Sequence, residues 1–400
     1  MTGNMMKYAA AVFAVVILAV GCSTPKKEQE LKTAPKADPA PPTISMDDGF
    51  MVDEGAHFEL PNEFWYVTGK LDSEEGPYYF TAHFHKAGNS YIHTRNGYNS
   101  LRAPDGKYDY RSFGLLVKVL AENKLKEKIE KFPDDTRYPD ILAKLQSNES
   151  EHFSLLEEDK RGLHRGKLFI DFGNNHFERV SDEKLEYDLK LDTWAGALDL
   201  KMEASTDPLT FPSKSPLRMG DGNMQGYFFP RVKVSGTLKG EDGETELTGT
   251  AWYNHIFGKP DKAVSARHEI ITQRLENGAA FVIANYYDSF GELGSSNIAY
   301  MNPDGSVVRD WTADVKPIKS WNSGISRFSY PISWKIEGGD ISGVVEPQFE
   351  ESELMIDEGV GTFWLGPCTF NGKIDGKLLG GKVSGDGFCK VTGTEEKPEP

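Results

Sequence analysis

Short runs of β-forming residues, punctuated at close intervals by turn dipeptides, restrict this chain more than any other feature. Phe64-Trp-Tyr-Val-Thr, Tyr78 to Phe84 and Leu185 to Leu191 alternate or run in strand-forming residues, as do Leu198 to Met202, Tyr227 to Val234 and Thr245 to Tyr253. After Gly258-Lys-Pro-Asp the pattern restarts with His268 to Leu275, Ala280 to Tyr287, Asn297 to Met301 and Val307 to Trp311. It continues through Tyr330 to Ile336, Ile341 to Val345, Thr362 to Phe370 and Lys382 to Val391. Asp304-Gly305, Asn371-Gly372 and Asp386-Gly387 are tight-turn signals between them. Strands at this spacing belong in antiparallel sandwiches or closed barrels. The expected class is all-β, and 40 glycines with 12% aromatics suit strands and turns better than helical bundles.

One segment breaks the pattern. Leu116, Leu120, Leu125, Ile129 and Phe132 sit near helical spacing, and a second helical stretch runs from Tyr138 to Gln146. Residues 113–159 therefore read as a helical insertion on the first β domain, either a packing cap over a barrel end or a lid over a pocket.

The N-terminus has the layout of an export signal. Lys7 precedes a mostly apolar run from Tyr8 to Val20, too short to span a bilayer but long enough for a signal-peptide core. Gly21-Cys22 resembles the lipobox cleaved by lipoprotein signal peptidase, which implies that residues 1–21 are removed and Cys22 is lipidated. Residues 22–45 carry Pro25, Pro35, Pro39, Pro41 and Pro42 among polar side chains and read as an extended, disordered spacer. Residues 395–400 form a polar tail. The expected location is a bacterial cell envelope, with a lipid anchor in the membrane; Ser23 after the cysteine favours the outer membrane.

A net charge of −16 argues against nucleic acid, which requires a basic face. Cys368 and Cys389 are the two cysteines beyond Cys22, and in an oxidising compartment they are a disulfide candidate. A bridge would close a loop of about 20 residues, worth roughly 3 kcal/mol. A simple hairpin about Asp375-Gly376 would not set them directly opposite, so both states stay open.

Several motifs occur in a fixed order. Glu63-Phe-Trp-Tyr-Val-Thr-Gly-Lys-Leu71 comes first, then Gly220-Asp-Gly-Asn and Tyr227-Phe-Phe-Pro-Arg-Val-Lys-Val-Ser-Gly-Thr-Leu238. Gly249-Thr-Ala-Trp-Tyr-Asn-His-Ile-Phe-Gly258 follows, with Tyr330-Pro-Ile-Ser-Trp334, Phe363-Trp-Leu-Gly366, Gly385-Asp-Gly387 and Val391-Thr-Gly393 behind it. Together they resemble the carotenoid hydratase (hydroxyneurosporene synthase) and AttH-like family from about Met46 to Thr394, apart from the insertion. The resemblance implies two lipocalin-like antiparallel β-barrels in tandem, one over 46–260 and one over 261–394, with room for an apolar ligand. In the family's hydratases an acidic side chain protonates an isoprenoid double bond, aromatics shelter the carbocation, and water adds.

This chain departs from the pattern at three positions. The family's Asp in Ala-Trp-x-Asp is Asn254, which has no proton to deliver at useful acidity; the Trp three positions on is Phe257, and the Glu expected after Trp364 is Leu365. Asn254, His255 and Asp221 are the candidates for any surviving catalysis. Candidate ligand-binding residues are Trp65, Tyr66, Tyr227, Arg231, Trp252, Tyr253 and Trp364, with strand core as the competing role for the aromatics. Arg231 either orients a ligand carboxylate or pairs with Glu63 or Asp221. His83 and His85 share one strand face, with His93 close behind; lacking matched carboxylate or thiol ligands, they read as ordinary strand histidines rather than a metal site. No metal or cofactor is expected. Three functions fit: a lipid-anchored binder of an apolar lipid or isoprenoid, a hydratase or isomerase acting on an alkene, or a structural envelope protein with solid barrels.

Overall fold

The computed structural model describes residues 44–45, 51–88, 93–117, 126, 129–134, 136, 139, 142–143, 163–164, 166–210, 217–219, 222–241, 243–259, 267–287, 291–308, 313–338, 341–356, 361–374 and 381–395. The expected signal peptide, Cys22 and its lipidation, most of the spacer, and residues 396–400 of the tail lie outside them.

β1 (Ile44–Ser45) and β2 (Met51–Val52) pair as a short ribbon. β3 (Asn62–Ser73), β4 (Gly76–Gly88), β5 (His93–Arg102) and β6 (Tyr108–Val117) form an antiparallel meander. The first sheet continues with β7 (Phe169–Asp171), β8 (His176–Arg179), β9 (Glu186–Thr193), β10 (Gly196–Ala204), β11 (Leu209–Thr210), β12 (Leu217–Met219), β13 (Gly222–Gly240) and β14 (Gly243–Lys259). Its spatial order is β6-β5-β4-β3-β14-β13-β10-β9-β8-β7, with β11 and β12 also against β13.

The second sheet repeats this plan. β15 (Arg267–Leu275), β16 (Ala280–Tyr287), β17 (Leu293–Met301) and β18 (Val307–Val308) are its meander. β19 (Asp314–Asn322), β20 (Phe328–Gly338), β21 (Ile341–Pro347), β22 (Glu353–Ile356), β23 (Gly361–Ile374), β24 (Gly381–Thr392) and β25 (Thr394–Glu395) follow. The order is β18-β17-β16-β15-β24-β23-β21-β20-β19, with β22 against β23 and β25 against β20. In both sheets the last long strand lies beside the first: β14 on β3, and β24 on β15.

Each sheet curls into a half-barrel of the lipocalin-like kind expected from the sequence. No backbone ladder joins β6 to β7 among the described residues. Side chains cross that seam instead: Asn99 donates to Asn175 Oδ1 at 2.9 Å and to the Asp192 carbonyl at 3.0 Å, and Trp194 Nε1 donates to the Leu101 carbonyl at 2.8 Å.

Side-chain alternation fills the two concave faces. Trp65, Val67, Phe80, Phe84, Leu189, Tyr227, Phe229 and Tyr253 pack inside the first half-barrel. Ile271, Ile283, Trp334, Trp364, Cys368 and Cys389 pack inside the second. The convex faces meet each other through a third apolar layer that includes Phe228, Trp252, Ile256, Val282 and Tyr286. This explains why Ala251 to Gly258 are buried without a break: a strand covered on both faces loses the polar half of its alternation. The motif glycine Gly249 is a close-approach position, since a Cβ there would stand 2.0 Å from the Lys70 carbonyl oxygen. Hydrogen bonds also tie the sheets together, from Tyr79 Oη to Gln348 Oε1 at 2.6 Å and from Tyr110 Oη to the Met355 carbonyl at 2.7 Å.

The insertion begins later than the spacing predicted. Phe113 to Val117 belong to β6, and the Phe113 ring packs 5.8 Å from Phe84 and 5.1 Å from Phe172. Apolar residues at helical spacing also satisfy a strand when the intervening positions are small or face out. Residues 126, 129–131, 139 and 142–143 are helical, and the rest of 118–159 contributes only 132–134 and 136 to the described set.

Candidate functional site

The ladder β3·β14 has two faces with different chemistry. Tyr66 stands opposite Asn254 and Trp65 opposite His255, so adjacent residues of one strand serve opposite sides of the sheet. On the convex side a cavity of about 100 Å³ lies between the two sheets. Tyr66, Thr68, His83, Trp252 and Asn254 line it from the first sheet, and His268, Ile270, Tyr286, Leu365 and Lys390 from the second. The sequence reading placed the pocket inside a barrel. The structure places it between them, because large aromatics occupy the barrel interiors. A wider polar groove of about 1190 Å³ opens where the hairpins of the first half-barrel gather, beside Asp105, Lys107, Trp194 and Lys239.

The two positions where the resemblance leads one to expect carboxylates, Asn254 and Leu365, share the inter-sheet cavity. Among the described residues no Asp or Glu lines it. Leu365 stands opposite Lys390 in the β23·β24 ladder. The Lys390 Nζ lies 4.5 Å from the Phe363 ring centroid, 5.5 Å from Tyr66 and 5.9 Å from Tyr98. Burial pulls its ammonium down to about 8. Burial also drives the histidines neutral: His268 falls to about 3 and His83 well below the usual imidazole range, both pushed further by the Lys390 charge. His85, stacked 4.4 Å from Phe64, falls to about 4 for the same first reason. His83 and His85 thus share a face as expected; the side chain of His93 lies outside the described residues.

The concave face holds a closed chain of paired groups. Glu63 Oε1 lies 2.8 Å from His255 Nε2 and 2.7 Å from His57 Nδ1, while Glu63 Oε2 accepts from the His57 backbone N–H at 2.8 Å. His57 Nε2 reaches Asp53 Oδ2 at 3.1 Å, and His255 Nδ1 reaches the Asp53 carbonyl at 3.0 Å. Phe257, in place of the family Trp, stacks on His57 at 3.9 Å, and Trp65 stacks on His255 at 4.9 Å. Burial alone would raise Glu63, but the hydrogen bonds and charges of the two histidines hold it below the ordinary carboxylate range. Burial would lower His57, yet Asp53 and Glu63 more than reverse this and raise it to about 9. Both nitrogens of His57 face carboxylate oxygens, so the ring holds both bonds only as the imidazolium. His57, Glu63 and His255 offer ligand atoms within 4.8 Å of one another, close enough to hold a cation if it displaced the bridging protons.

Of the seven candidate ligand-binding residues, Tyr66 and Trp252 reach the cavity. Trp65, Tyr227 and Tyr253 are core of the first half-barrel, and Trp364 is core of the second with its Nε1 donating to the Glu350 carbonyl at 2.6 Å. Arg231 pairs with neither Glu63 nor a ligand-facing wall; its Nη2 donates across to the carbonyls of Leu275 at 3.2 Å and Ala279 at 3.0 Å. Among the catalytic candidates, Asn254 faces the cavity, His255 faces the opposite side of the sheet, and Asp221 lies outside the described residues. Cys368 and Cys389 are buried free thiols, so the candidate disulfide is not formed. They are offset in the ladder, Cys368 standing opposite Gly387 and Cys389 opposite Gly366.

Lys390 and His268 escaped the sequence reading, as did His57 and Asp53. A lysine between Cys389 and Val391 in a strand was the available signal, since such a position is otherwise apolar. Glu54 was also missed: it is buried in the first half-barrel, 3.4 Å from Arg179, and burial pushes it up to about 7. It lines neither the cavity nor the groove.

The AttH-like family profile matches residues 140–394. A protein assigned as AttH from Nitrosomonas europaea has a similar structure, with a TM-score of 0.65 and 17% identity over 84% of this chain and 94% of that one. Kievitone hydratase from Nectria haematococca is also similar, with a TM-score of 0.59 and 14% identity over 83% and 89%. At these identities the likeness is one of fold. No curated protein matches the sequence.

Proposed function

Since this chain belongs to the AttH-like family, we propose that it binds an apolar small molecule, of lipid or isoprenoid character, in the cavity between its two half-barrels. One observation carries the reading: Asn254 and Leu365, where the hydratase pattern has acids, lie on the same cavity, whose aromatic wall is kept. An amide and an isobutyl group cannot protonate an alkene, whereas Tyr66, Trp252 and Tyr286 still supply an apolar, π-rich surface. Glu63, the nearest carboxylate on the same ladder, points to the other side of the sheet and is fully engaged. Binding without turnover is what such a wall supports.

The placement of this binder is part of the same proposal. Gly21-Cys22 after an apolar run supports a lipid anchor, and the proline-rich spacer that follows supports a body held off the membrane. Palmitate labelling of the full-length chain in a bacterial host, lost in Cys22→Ser, is the expected result; equal labelling of both would remove the anchor.

The binding function is tested by extracting protein purified from its native host with organic solvent and analysing the extract by mass spectrometry. An apolar compound recovered near one per chain supports it. A clean extract, with no stabilisation by any member of a panel of small apolar molecules, would overturn it. Asn254→Asp probes the hydratase alternative: water addition to a terpenoid by the variant alone would show a cavity one substitution away from chemistry.

A further inference from the structure

The cavity wall carries two groups that offer no acceptor. Lys390 can only donate, and so can the indole N–H of Trp252. Trp252 Nε1 is buried without a hydrogen-bond partner, and His83 Nδ1, on a side chain 3% exposed, also lacks one. His268 Nε2 is a third partnerless nitrogen on the same wall; its other ring nitrogen is satisfied by Thr392 Oγ1 at 3.0 Å. No carboxylate lines the cavity to receive any of these, and Lys390 has no ion pair among the described residues. Native proteins pair buried cations and satisfy buried donors, so a wall with an unpaired cation and an idle indole N–H is incomplete by itself.

We propose that the ligand of this cavity is a small apolar acid, no larger than a single ring, whose ionised carboxylate pairs with Lys390. The inference rests on the binding function proposed above and adds to it the headgroup chemistry. The aromatic rings of Phe363, Tyr66 and Tyr98 around Nζ stabilise the ammonium only in part, whereas a carboxylate would neutralise it and accept from the neighbouring donors. A lysine drawn down to about 8 by burial alone is what a cation missing its counter-ion looks like, and an arriving anion would raise it again. Size limits the rest of the ligand. An engineered apolar cavity of about 150 Å³ takes one benzene, so a cavity of about 100 Å³ admits at most a short branched chain or one small ring and not an extended polyene.

The test compares two near-isosteric probes on the purified, ligand-stripped protein by ¹⁹F NMR titration: 3,3,3-trifluoropropionate and 3,3,3-trifluoropropanamide. Wild type is expected to bind the acid about tenfold or more tightly than the amide. Lys390→Met should bind both alike, the acid having lost its preference, and a cooperative thermal transition shows that the variant is folded; Lys390→Gln is the second variant should the thioether repack. Equal binding of acid and amide by wild type, or an acid preference kept in both variants, would overturn the headgroup while leaving the binding cavity standing. Binding of neither probe by wild type would count against the cavity itself and take this inference with it.

Discussion

The strands β3 and β14 present two faces a few ångströms apart, and they treat ionisable groups in opposite ways. On the concave side Asp53, His57, Glu63 and His255 are each engaged by a partner of matching chemistry. On the convex side Trp252 Nε1 and His83 Nδ1 have no hydrogen-bond partner among the described residues, and Lys390 adjoins the same cavity with no ion pair among them. The first arrangement is complete and therefore structural; the second is completed from outside. The comparison teaches that a perturbed group locates function only after its partners have been counted.

The contrast can be broken first where it should be strongest. Glu63→Ala leaves the buried His255 and the part-buried His57 without their shared carboxylate and is expected to cost about 3–5 kcal/mol, read as a large fall in thermal or urea midpoint. A variant that melts like wild type would show that the concave chain holds nothing together. The next largest effect is in pH. His57 is raised in the folded state, so its contribution is full below an unfolded value near 6.5 and is lost as pH climbs through about 9. Because the ring is partly solvated, the loss is put at about 1–2 kcal/mol. It is best measured in Lys390→Met, since a lysine lowered by folding pushes stability in the opposite direction across that range; His57→Gln should flatten the slope.

On the convex face the expected changes are smaller. Lys390→Met removes an uncompensated cation and should stabilise the apo-protein by about 1 kcal/mol. Destabilisation instead would mean that Lys390 has a structural partner and would erase the distinction between the faces. Asn254→Leu, close in volume and adjoining the void, should shift the midpoint by less than about 1 kcal/mol. Smallest of all, a reductant should leave the melting temperature where it was, since Cys368 and Cys389 are free.

The strands were legible in the sequence because alternation and Asx-Gly turns are local signals. So was the family, from motifs whose glycines turn out to be backbone contacts such as that of Gly249 with Lys70. The position of the cavity was not legible. Trp65 and Tyr66 are neighbours with the same apparent credentials, and only the packing of a second sheet on the first decides which one faces a void. Lys390 lies more than 300 residues from Tyr66, and no pattern within either segment announces that they meet. The helical insertion was placed too early because Leu116 fits helical spacing with Leu120 while its backbone continues the β5·β6 ladder, and Phe113 just before it packs on Phe84 and Phe172.

Each sheet is joined at its middle by its own final long strand, β14 returning to β3 and β24 returning to β15. Such pairings carry a high contact order and are slow to form. During synthesis the first half-barrel therefore waits, with its central seam open, until Gly243–Lys259 has left the ribosome, and the second waits for Gly381–Thr392. A nascent chain of this design exposes two long apolar strand edges in succession. That places its demand for chaperone protection at two predictable points in elongation, one for each closure.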